Sequence, residues 1–431
     1  MTQNIIAPTW SFGRKLRFRL SFAFFGLIIF PFPLDVIPGV NKLFGFINAF
    51  WTWLINLLGK TFFGIEEEIA ITFTGSGDKL YDWLWYFSII VLTILIVALF
   101  SLLDRNRKSY HKLQGWFNLF LRYYLIYFLL VYGIIKLFYL QFGPPNLERL
   151  YQTFGQASPM RLMWTFMGFS ETYTMFSGFS ETVAGLLLLF RNTRILGALA
   201  ATGVMLNVFM MNMSYDIPVK LFSFQLMLIG FYFICMDYKR VLGFLIKNED
   251  VQKLPKESLT TSKSGSIVLT IFQVAFVLFI IINLTTSSAK NRKTYGPERA
   301  KSALYGVYNI ETFVMNGDTL PPLLTDVERW KRILFDYPQS VSVVHMSDKV
   351  IRYNSEIDTI NETIELAPMG DSINKYLFNY SFKGKDLFLE GVFYNDTLKV
   401  ETKNYDLKNF GLLNRGFNWV NEVPYNRYNT E

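Results

Sequence analysis

The chain has 431 residues, of which 51 % are hydrophobic and 18 % aromatic. Charged residues make up 18 %, compared with about 25 % in an average soluble protein. They are missing from several runs of roughly twenty residues, the length of a helix that crosses a bilayer. The composition therefore predicts an integral membrane protein whose first partner is the lipid bilayer.

Residue counts disfavour several functional classes. The single cysteine, Cys235, cannot form an intramolecular disulfide, a thiolate zinc site or an iron–sulfur cluster. The two histidines, His111 and His345, are too few and too far apart for a bis-histidine haem or a histidine-rich metal site. We therefore expect no metal site, and no cofactor is evident.

The net charge of +8 is unevenly distributed along the chain. Residues 1–284 contain 24 basic and 15 acidic residues, whereas residues 285–431 contain 18 basic and 19 acidic residues. The excess belongs to the membrane part, where basic residues orient helices. We therefore expect no nucleic-acid partner.

Seven apolar segments have the length of a membrane-spanning helix. The first, 20–32, follows a basic stretch and is followed by prolines rather than by a cleavage site, so we expect a retained helix and not a signal peptide. The other six segments are 81–103, 117–140, 173–190, 195–213, 221–236 and 267–284.

The basic loops predict how these helices are oriented. With a cytoplasmic N-terminus, the basic stretches 105–112, 191–194 and 239–256 all lie inside, as the positive-inside rule requires. The outer segments are mixed or acidic, as at 66–68. This pattern predicts a multi-pass protein of the bacterial inner (plasma) membrane, with its C-terminal region in the periplasm or otherwise outside the cytoplasm.

The segment 43–59 complicates the span count because it is also apolar enough to cross the membrane. If it did, most of the later basic loops would be moved to the outside. We therefore interpret it as an interfacial or re-entrant helix, with Trp51 and Trp53 at the level of the lipid head groups. An eight-span topology remains the alternative.

Residues 300–431 have the pattern of a β-domain. Short alternating runs at 306–314, 341–345, 350–353, 363–366, 376–382, 387–393 and 397–401 are separated by turn signals. They predict an antiparallel meander that closes into a small barrel or sandwich. We expect one helical turn at 326–334, capped by Asp326, and an extended linker at 285–299. Phe417, Trp419 and Tyr425 are predicted to cover the core of this domain.

Ionisable residues inside the predicted spans are candidate functional residues. Each costs at least about 2.5–3.5 kcal/mol at the centre of a helix, so it needs a partner or a wet cavity. Glu181 lies near the middle of the fourth span, and Lys136 lies near the outer end of the third, one turn after Tyr132. Their depths differ by about 5 Å, so we predict a Lys136–Glu181 pair. It either fixes the helix register or handles protons or ligand, whereas Arg122 is interpreted as an anchor to inner head groups.

Polar residues near the outer ends of these helices suggest a ligand-binding mouth above that pair. Short loops between antiparallel helices would bring them together on one side of the membrane. The candidate ligand-binding residues are Tyr132, Gln141, Asn207, Asn212, Asp216 and Lys220.

Four glycines in the fourth and fifth spans are predicted to serve helix packing. Small residues let helix backbones approach closely in membranes. These residues are Gly178, Gly185, Gly197 and Gly203.

Residues 122 to about 233 resemble the DoxX family of small four-helix bacterial membrane proteins. The resemblance is carried by LRYYLIYFLLVYGIIKLF, SETVAGLLLLFRNTRILGALAA and NMSYDIPVK. It implies a four-helix core over 117–236, with Lys136, Glu181, Asn207, Asp216 and Lys220 as site residues. DoxX relatives include a subunit linked to thiosulfate:quinone oxidoreduction and components implicated in redox stress or surface assembly.

The C-terminal region is similar to lipocalin-like β-barrels. Gly306 and Tyr308 stand where such barrels carry Gly-x-Trp, and Arg415 stands late in the chain, like their closing arginine. The predicted organisation is a membrane region with two spans and an interfacial helix (1–116), a DoxX-like bundle (117–236), a cytoplasmic loop with the seventh span and a linker (237–299), and an extracytoplasmic β-domain (300–431).

These expectations favour a binding or accessory protein. Its bundle would anchor a β-domain that holds a hydrophobic ligand or a protein partner. A subunit of a membrane oxidoreductase is the alternative, in which a quinone-like ligand is used and Glu181 and Lys136 handle protons. Electrons would then come from a partner, because the sequence has no haem, flavin or nucleotide fingerprint. A transporter is the third class, and no catalytic residue is identified.

Overall fold

The computed structural model describes residues 9–37, 39–40, 44–250, 259–260, 262–371 and 373–424. It divides into two compact units. Unit 1 comprises Met1–Phe142 and Ser170–Lys290, and unit 2 comprises Gly143–Phe169 and Asn291–Glu431. Residue 43, the basic residues Lys253 and Lys256, and the predicted core-covering residue Tyr425 lie outside the described residues.

Twelve α-helices occur in the described residues. In chain order they are α1 (Phe12–Ile29), α2 (Gly45–Phe63), α3 (Leu80–Leu103), α4 (His111–Leu137), α5 (Leu147–Tyr151), α6 (Pro159–Phe169), α7 (Glu171–Leu189), α8 (Arg194–Ser214), α9 (Lys220–Met236), α10 (Tyr238–Leu245), α11 (Lys263–Thr294) and α12 (Gly411–Asn414).

Five of the described helices are long and apolar enough to cross a membrane. They are α1 with the turn that follows it, α3, α4, α8 and α11. The pair α9 and α10, bent by 77°, makes a sixth if it counts as one span. The helix predicted as the fourth span, α7, is not among them, and its N-terminal half is rich in threonine and serine.

The helices α4 and α7 pack backbone against backbone. A Cβ atom added to Gly178 would lie 2.5 Å from the carbonyl oxygen of Gly133 and 2.7 Å from the Cβ of Lys136. A Cβ atom added to Gly133 would lie 2.9 Å from the carbonyl oxygen of Gly178. Only glycine at both positions allows this approach.

The other predicted packing glycines differ in their surroundings. A Cβ atom on Gly197 would lie 2.6 Å from the backbone nitrogen of Leu188, so this glycine brings α8 against α7. A Cβ atom on Gly185 would lie 3.3 Å from the Cβ of Leu129 on α4. Gly203 has nothing within 4 Å of such an atom, so its predicted packing role is wrong.

A buried arginine attaches α1 to the connection between α3 and α4. The guanidinium of Arg19 donates hydrogen bonds to the hydroxyl of Tyr110 at 2.7 Å, the hydroxyl of Ser101 at 2.9 Å and the carbonyl oxygen of Asp104 at 3.0 Å. The Tyr110 hydroxyl in turn donates to the Asp104 carboxylate at 2.9 Å. The buried charge is therefore fully engaged by polar groups, as burial requires.

The helix α2 packs against α3 close to the start of α3. The ring of Trp51 contacts that of Trp85, and the rings of Phe62 and Phe63 both contact that of Phe87. The side chains of Tyr81 and Thr52 also hydrogen-bond, so α2 packs against the first two turns of α3.

The described residues of unit 2 contain nine strands. They are β1 (Gly306–Met315), β2 (Asp318–Thr319), β3 (Trp330–Tyr337), β4 (Ser340–His345), β5 (Val350–Asp358), β6 (Thr363–Pro368), β7 (Tyr376–Lys383), β8 (Asp386–Phe393) and β9 (Asp396–Tyr405). Strands β1 and β3 to β9 form an antiparallel eight-stranded barrel, closed by the pairing of β1 with β9, and β2 only extends the end of β1. The predicted antiparallel meander that closes into a barrel is confirmed.

Aromatic side chains fill the interior of this barrel. The ring of Trp330 contacts those of Phe313, Phe378 and Phe393, with centroids 5.3 to 6.2 Å apart. Trp330, Phe313 and Phe378 are almost completely buried. The barrel is therefore a packed core with an aromatic centre.

Three local predictions for the C-terminal part are wrong. No helical turn forms at 326–334. The carboxylate of Asp326 accepts a hydrogen bond from the Arg329 amide at 2.9 Å, as a cap would. The chain then enters β3, because Trp330 pairs with β4 and fills the core. The expected extended linker at 285–299 is helical up to Thr294, where side chains such as Thr286 bond back to the helix at 2.7 Å. Phe417 and Trp419 are 76 % and 91 % exposed and contact each other, so they do not cover the core.

The segment Gly143–Phe169, predicted within the bundle 117–236, folds in unit 2 on the outer face of the barrel. Leu147 is buried against Val307, Leu334 and Val344, and its amide donates to the Asp336 carboxylate at 3.0 Å. The carboxylate of Glu148 accepts two hydrogen bonds from Arg352 and one from Ser342, each of 2.7 Å. The guanidinium carbon of Arg332 lies 3.7 Å from the ring centre of Tyr151.

We expect Gly178→Ala to destabilise the helical unit by about 1–3 kcal/mol, because the new methyl group must push α4 away from α7. The measurement is the thermal unfolding midpoint of the full chain in detergent. Gly203→Ala is the matched control, and it should leave the midpoint unchanged or raise it, because alanine favours a helix over glycine. Equal midpoints for the two variants would contradict the close packing of α4 and α7.

We also expect the contact of residues 147–151 with the barrel to weaken in acid. Burial alone would raise the pKa of Glu148, but hydrogen bonds from Arg352 and Ser342 lower it below its ordinary value. The stability from such a group is present above the pKa of the unfolded chain and is lost as pH falls through the folded pKa. Amide hydrogen exchange of residues 147–151, corrected for intrinsic rates, should therefore stay constant from neutral pH down to about pH 5 and accelerate as the pH falls below 4.5, the ordinary pKa of a glutamate.

Glu148→Gln tests the cause of that acceleration. It should remove most of the pH dependence at residues 147–151, whereas Asp358→Asn should leave it intact, because Asp358 bonds only to residues of its own turn. An acceleration that persists in Glu148→Gln would show that another group is responsible.

Candidate functional site

A buried ion pair joins α4 to α7. The ammonium nitrogen of Lys136 lies 2.5 Å from Oε1 of Glu181, and the two side chains are 5 % and 2 % exposed. Lys136 follows Gly133 by three positions, and Glu181 follows Gly178 by three positions. Each charged residue therefore lies on the same helix face as the contact glycine that precedes it. The glycine contact thus brings the two charged side chains together.

The second carboxylate oxygen of Glu181 is different. Among the residues that the structure describes, its buried Oε2 has no hydrogen-bond partner. The ring of Tyr132 lies 5.8 Å from the Lys136 ammonium and also contacts the ring of Phe222 on α9. The pair can therefore still accept a proton or a donor group at this oxygen.

Two further candidate residues, Asp216 and Lys220, form a separate group with Asp78. The Lys220 ammonium lies 2.9 Å from the Asp216 carboxylate and 3.6 Å from that of Asp78. The Asp78 carboxylate also accepts from the backbone amides of Lys220 at 2.8 Å and Leu221 at 3.0 Å, which caps α9. Sequence reasoning missed Asp78, because its partners lie more than 140 residues away.

The remaining candidates do not join either group. Asn212 is buried and donates to the Ser223 hydroxyl at 2.9 Å, which ties α8 to α9. Asn207 is exposed on α8. Gln141 is half-buried, and its side-chain oxygen has no partner within the described part of the chain. The structure thus brings Tyr132, Lys136 and Glu181 together but does not gather all the predicted residues into one polar mouth.

An apolar cavity of about 520 Å³ lies elsewhere in unit 1, between α1, α3, α9 and the end of α2. Its only side chains with hydrogen-bonding groups, apart from the Trp83 indole, are Tyr86 and Gln225. The Tyr86 hydroxyl donates to the side-chain oxygen of Gln225, whose amide donates to the Tyr124 hydroxyl at 2.8 Å. Sequence reasoning missed this series of hydrogen bonds, although a glutamine inside an apolar span was a usable signal.

The structure offers no metal centre in the residues it describes. No group of three or more histidine, cysteine, aspartate or glutamate side chains is arranged there to hold a metal ion. His345 lies in the barrel, where its Nδ1 is 2.9 Å from the carbonyl oxygen of Val327.

Comparison with known proteins gives one informative match. Uncharacterized protein YwoB of Bacillus subtilis (strain 168) is 32 % identical to this chain over 142 residues, which are 32 % of this chain and 86 % of YwoB. The chain belongs to the YwoB family. The similarity to YwoB covers a third of the chain and carries no activity with it. No family model and no solved structure matches the chain.

We expect the ion pair to make a measurable coupling contribution to stability. Lys136→Met or Glu181→Gln alone leaves the remaining group buried without its partner, and should cost about 3–5 kcal/mol. The double variant removes both groups and should recover much of that loss. The measurement is the free energy of unfolding of the full chain in detergent.

Lys247→Met is the control for removal of a lysine charge. The side chains of Lys247 and its partner Glu249 are 62 % and 61 % exposed, so the lost charge pair is in contact with solvent and the cost should be small. If the double variant lost as much stability as the two single variants added together, the pair would not be coupled.

Proposed function

We propose that this protein is a multi-pass membrane protein that binds a hydrophobic ligand within its helical unit and carries a β-barrel as a docking domain for a protein partner. The apolar cavity with the Tyr86–Gln225 pair on its wall is the observation that carries this proposal. Its volume of about 520 Å³ lies within the range of small-molecule sites, which combine apolar walls with a few placed polar groups.

The walls of the cavity favour a ligand with a hydrocarbon part. Phe63, Leu80, Trp83 and Ile90 line it and are each about half exposed, so the cavity opens to the surface of the helical unit. In a bilayer that surface faces acyl chains. Tyr86 and Gln225 then offer the polar contact that would distinguish a ligand with a polar head from an ordinary acyl chain.

The barrel is better suited to a partner than to a ligand. Lipocalin-like barrels that bind ligands need interior space, whereas Trp330, Phe313 and Phe378 fill the interior here. This packing supports the assignment of ligand binding to the helical unit. We assign to the barrel the contact with a protein partner.

The chain path supports the proposed topology. The segment after α4 and the segment after α11 both belong to unit 2, which supports a topology in which both helices end on the same side of the membrane. Crossings by α7, α8, α9 and α11 return the chain to that side. With α1, α3 and α4 these helices make seven spans, and α2, which packs against the start of α3, is the interfacial helix. The basic loops then lie in the cytoplasm, and the barrel lies outside the cytoplasm of a bacterial inner (plasma) membrane.

A quinone-linked oxidoreductase subunit is a second candidate. The second N–H of the Gln225 amide could donate to a carbonyl oxygen of a quinone, and the free oxygen of Glu181 could accept a proton. Electrons would have to come from a partner protein.

The experiment is a binding titration of the full chain in detergent, followed by quenching of tryptophan fluorescence, because Trp83 lines the cavity. The probes are decylubiquinone and decylbenzene, which share an alkyl chain but differ in carbonyl oxygens. We expect saturable quenching by decylubiquinone. Leu228→Phe, which fills the cavity, should weaken binding about tenfold, equivalent to about 1.4 kcal/mol.

The controls separate the two candidate functions. Ile271→Phe adds the same side chain on the exposed side of α11 and should leave binding unchanged. Equal effects of Leu228→Phe and Ile271→Phe would reject the cavity as the binding site. If Gln225→Leu left the preference for decylubiquinone over decylbenzene unchanged, the quinone-linked function would be rejected while hydrophobic binding stood.

A further inference from the structure

A second cavity in unit 1, of about 820 Å³, is strongly basic. Seven of its lining residues are cationic and one is a carboxylate, Asp237. The cations come from α1 (Arg14 and Arg17), α4 (Arg122), the turn into α8 (Arg191 and Arg194) and α10 (Lys239 and Arg240). No residue lines both this cavity and the apolar one, so the two sites are separate.

The fold itself concentrates this charge. The 77° bend between α9 and α10 turns Lys239 and Arg240 toward the end of the bundle where α1 contributes its arginines. The single carboxylate of Asp237 lies 3.1 Å from Arg194, so it offsets one of the seven cations. Like charges that converge on one concave surface raise its potential and attract anions.

Arg240 indicates what kind of anion this is. Its Nε and Nη1 atoms are buried and have no hydrogen-bond partner among the described residues. A buried guanidinium that lacks acceptors is costly. Its planar N–H donors match the oxygens of phosphate, often two at a time.

Part of the cavity wall is apolar, which indicates that the bound anion belongs to a larger molecule with an apolar part. Phe18 and Phe233 are buried where they line the cavity, and Leu119 and Leu259 line it too. A free phosphate would use only the cationic part of a volume of this size. An amphiphile would use both parts.

We propose that this cavity binds the phosphate-bearing head group of an anionic lipid, with Arg240 as a direct ligand and the apolar wall in contact with the first part of the acyl chains. Arginines that merely reach ordinary head groups need no common cavity, because each one finds its own lipid. Here they converge from four elements of the chain. Basic pockets between membrane helices are known to select phosphate-bearing lipids in this way.

The test is native mass spectrometry of the delipidated full chain in detergent. The protein is titrated with phosphatidylglycerol, which carries a net negative charge, and with phosphatidylcholine, which does not. We expect one phosphatidylglycerol to be retained about tenfold more tightly than phosphatidylcholine. Arg240→Gln should abolish most of this preference, and Arg240→Lys should keep part of it because the charge remains.

Arg105→Gln is the matched control, because Arg105 is exposed on a basic loop and does not line the cavity. Equal losses in Arg105→Gln and Arg240→Gln would overturn the proposal in favour of unspecific attraction between charges. Inorganic phosphate added in excess should leave the bound lipid in place, and its release would overturn the lipid assignment in favour of a free phosphate. If Arg240→Gln does not fold, as judged by its unfolding midpoint, Arg17→Gln on the exposed face of α1 provides the same test.

Discussion

The backbone contact of α4 with α7 at Gly133 and Gly178 is the constraint on which the helical unit depends. It leaves no room for a Cβ atom at Gly133 or at Gly178. It therefore also fixes the distance between Lys136 and Glu181, each of which lies three positions further along its helix. Lys136 and Glu181 then lie 2.5 Å apart, because i and i+3 share a helix face. Neither charge is tolerable alone when it is so deeply buried, so steric and electrostatic requirements select the same register. Gly197 extends this contact to α8.

The sequence pattern predicted the features that depend on local periodicity. It did not predict the contacts between residues that are far apart in the sequence. The Lys136–Glu181 pair followed from helical spacing and from the cost of a charge in a span, and the barrel strands followed from alternation. The apolar residues of 326–334 are compatible with the spacing of a helix and with that of a strand. The pairing of Trp330 with β4 made the segment a strand. The Asp78 cap of α9 and the Glu148–Arg352 pair join residues 142 and 204 positions apart. No local pattern contains such contacts, and the same holds for the Tyr86–Gln225–Tyr124 chain.

The division into two units has a consequence for the interpretation of truncations. Residues 143–169 lie between α4 and α7 in the chain, yet they fold with the barrel. Leu147 is 1 % exposed because β-strand residues of the barrel cover it, and Glu148 has its partners on β4 and β5. Removal of residues 300–431 alone would therefore expose an apolar side chain and leave a carboxylate without its arginine. Loss of function in such a truncation would not by itself assign the function to the barrel.

The chemistry of the two cavities distributes the binding roles within the helical unit. Water needs two to four polar partners to be held in a cavity, and the apolar cavity offers few: Tyr86, Gln225 and the Trp83 indole. Hydrocarbon suits the rest of its wall, so in the proposed site selectivity would depend on these polar groups. In the proposed lipid site of the basic cavity the order is reversed: the guanidinium groups would select the head group, and the apolar wall would contact the chains attached to it. The barrel, whose interior is packed with aromatic side chains, has no comparable wall in its described core. The proposed ligand selection is therefore assigned to the helices, and the outer surface of the barrel is the part that we propose for contact with another protein.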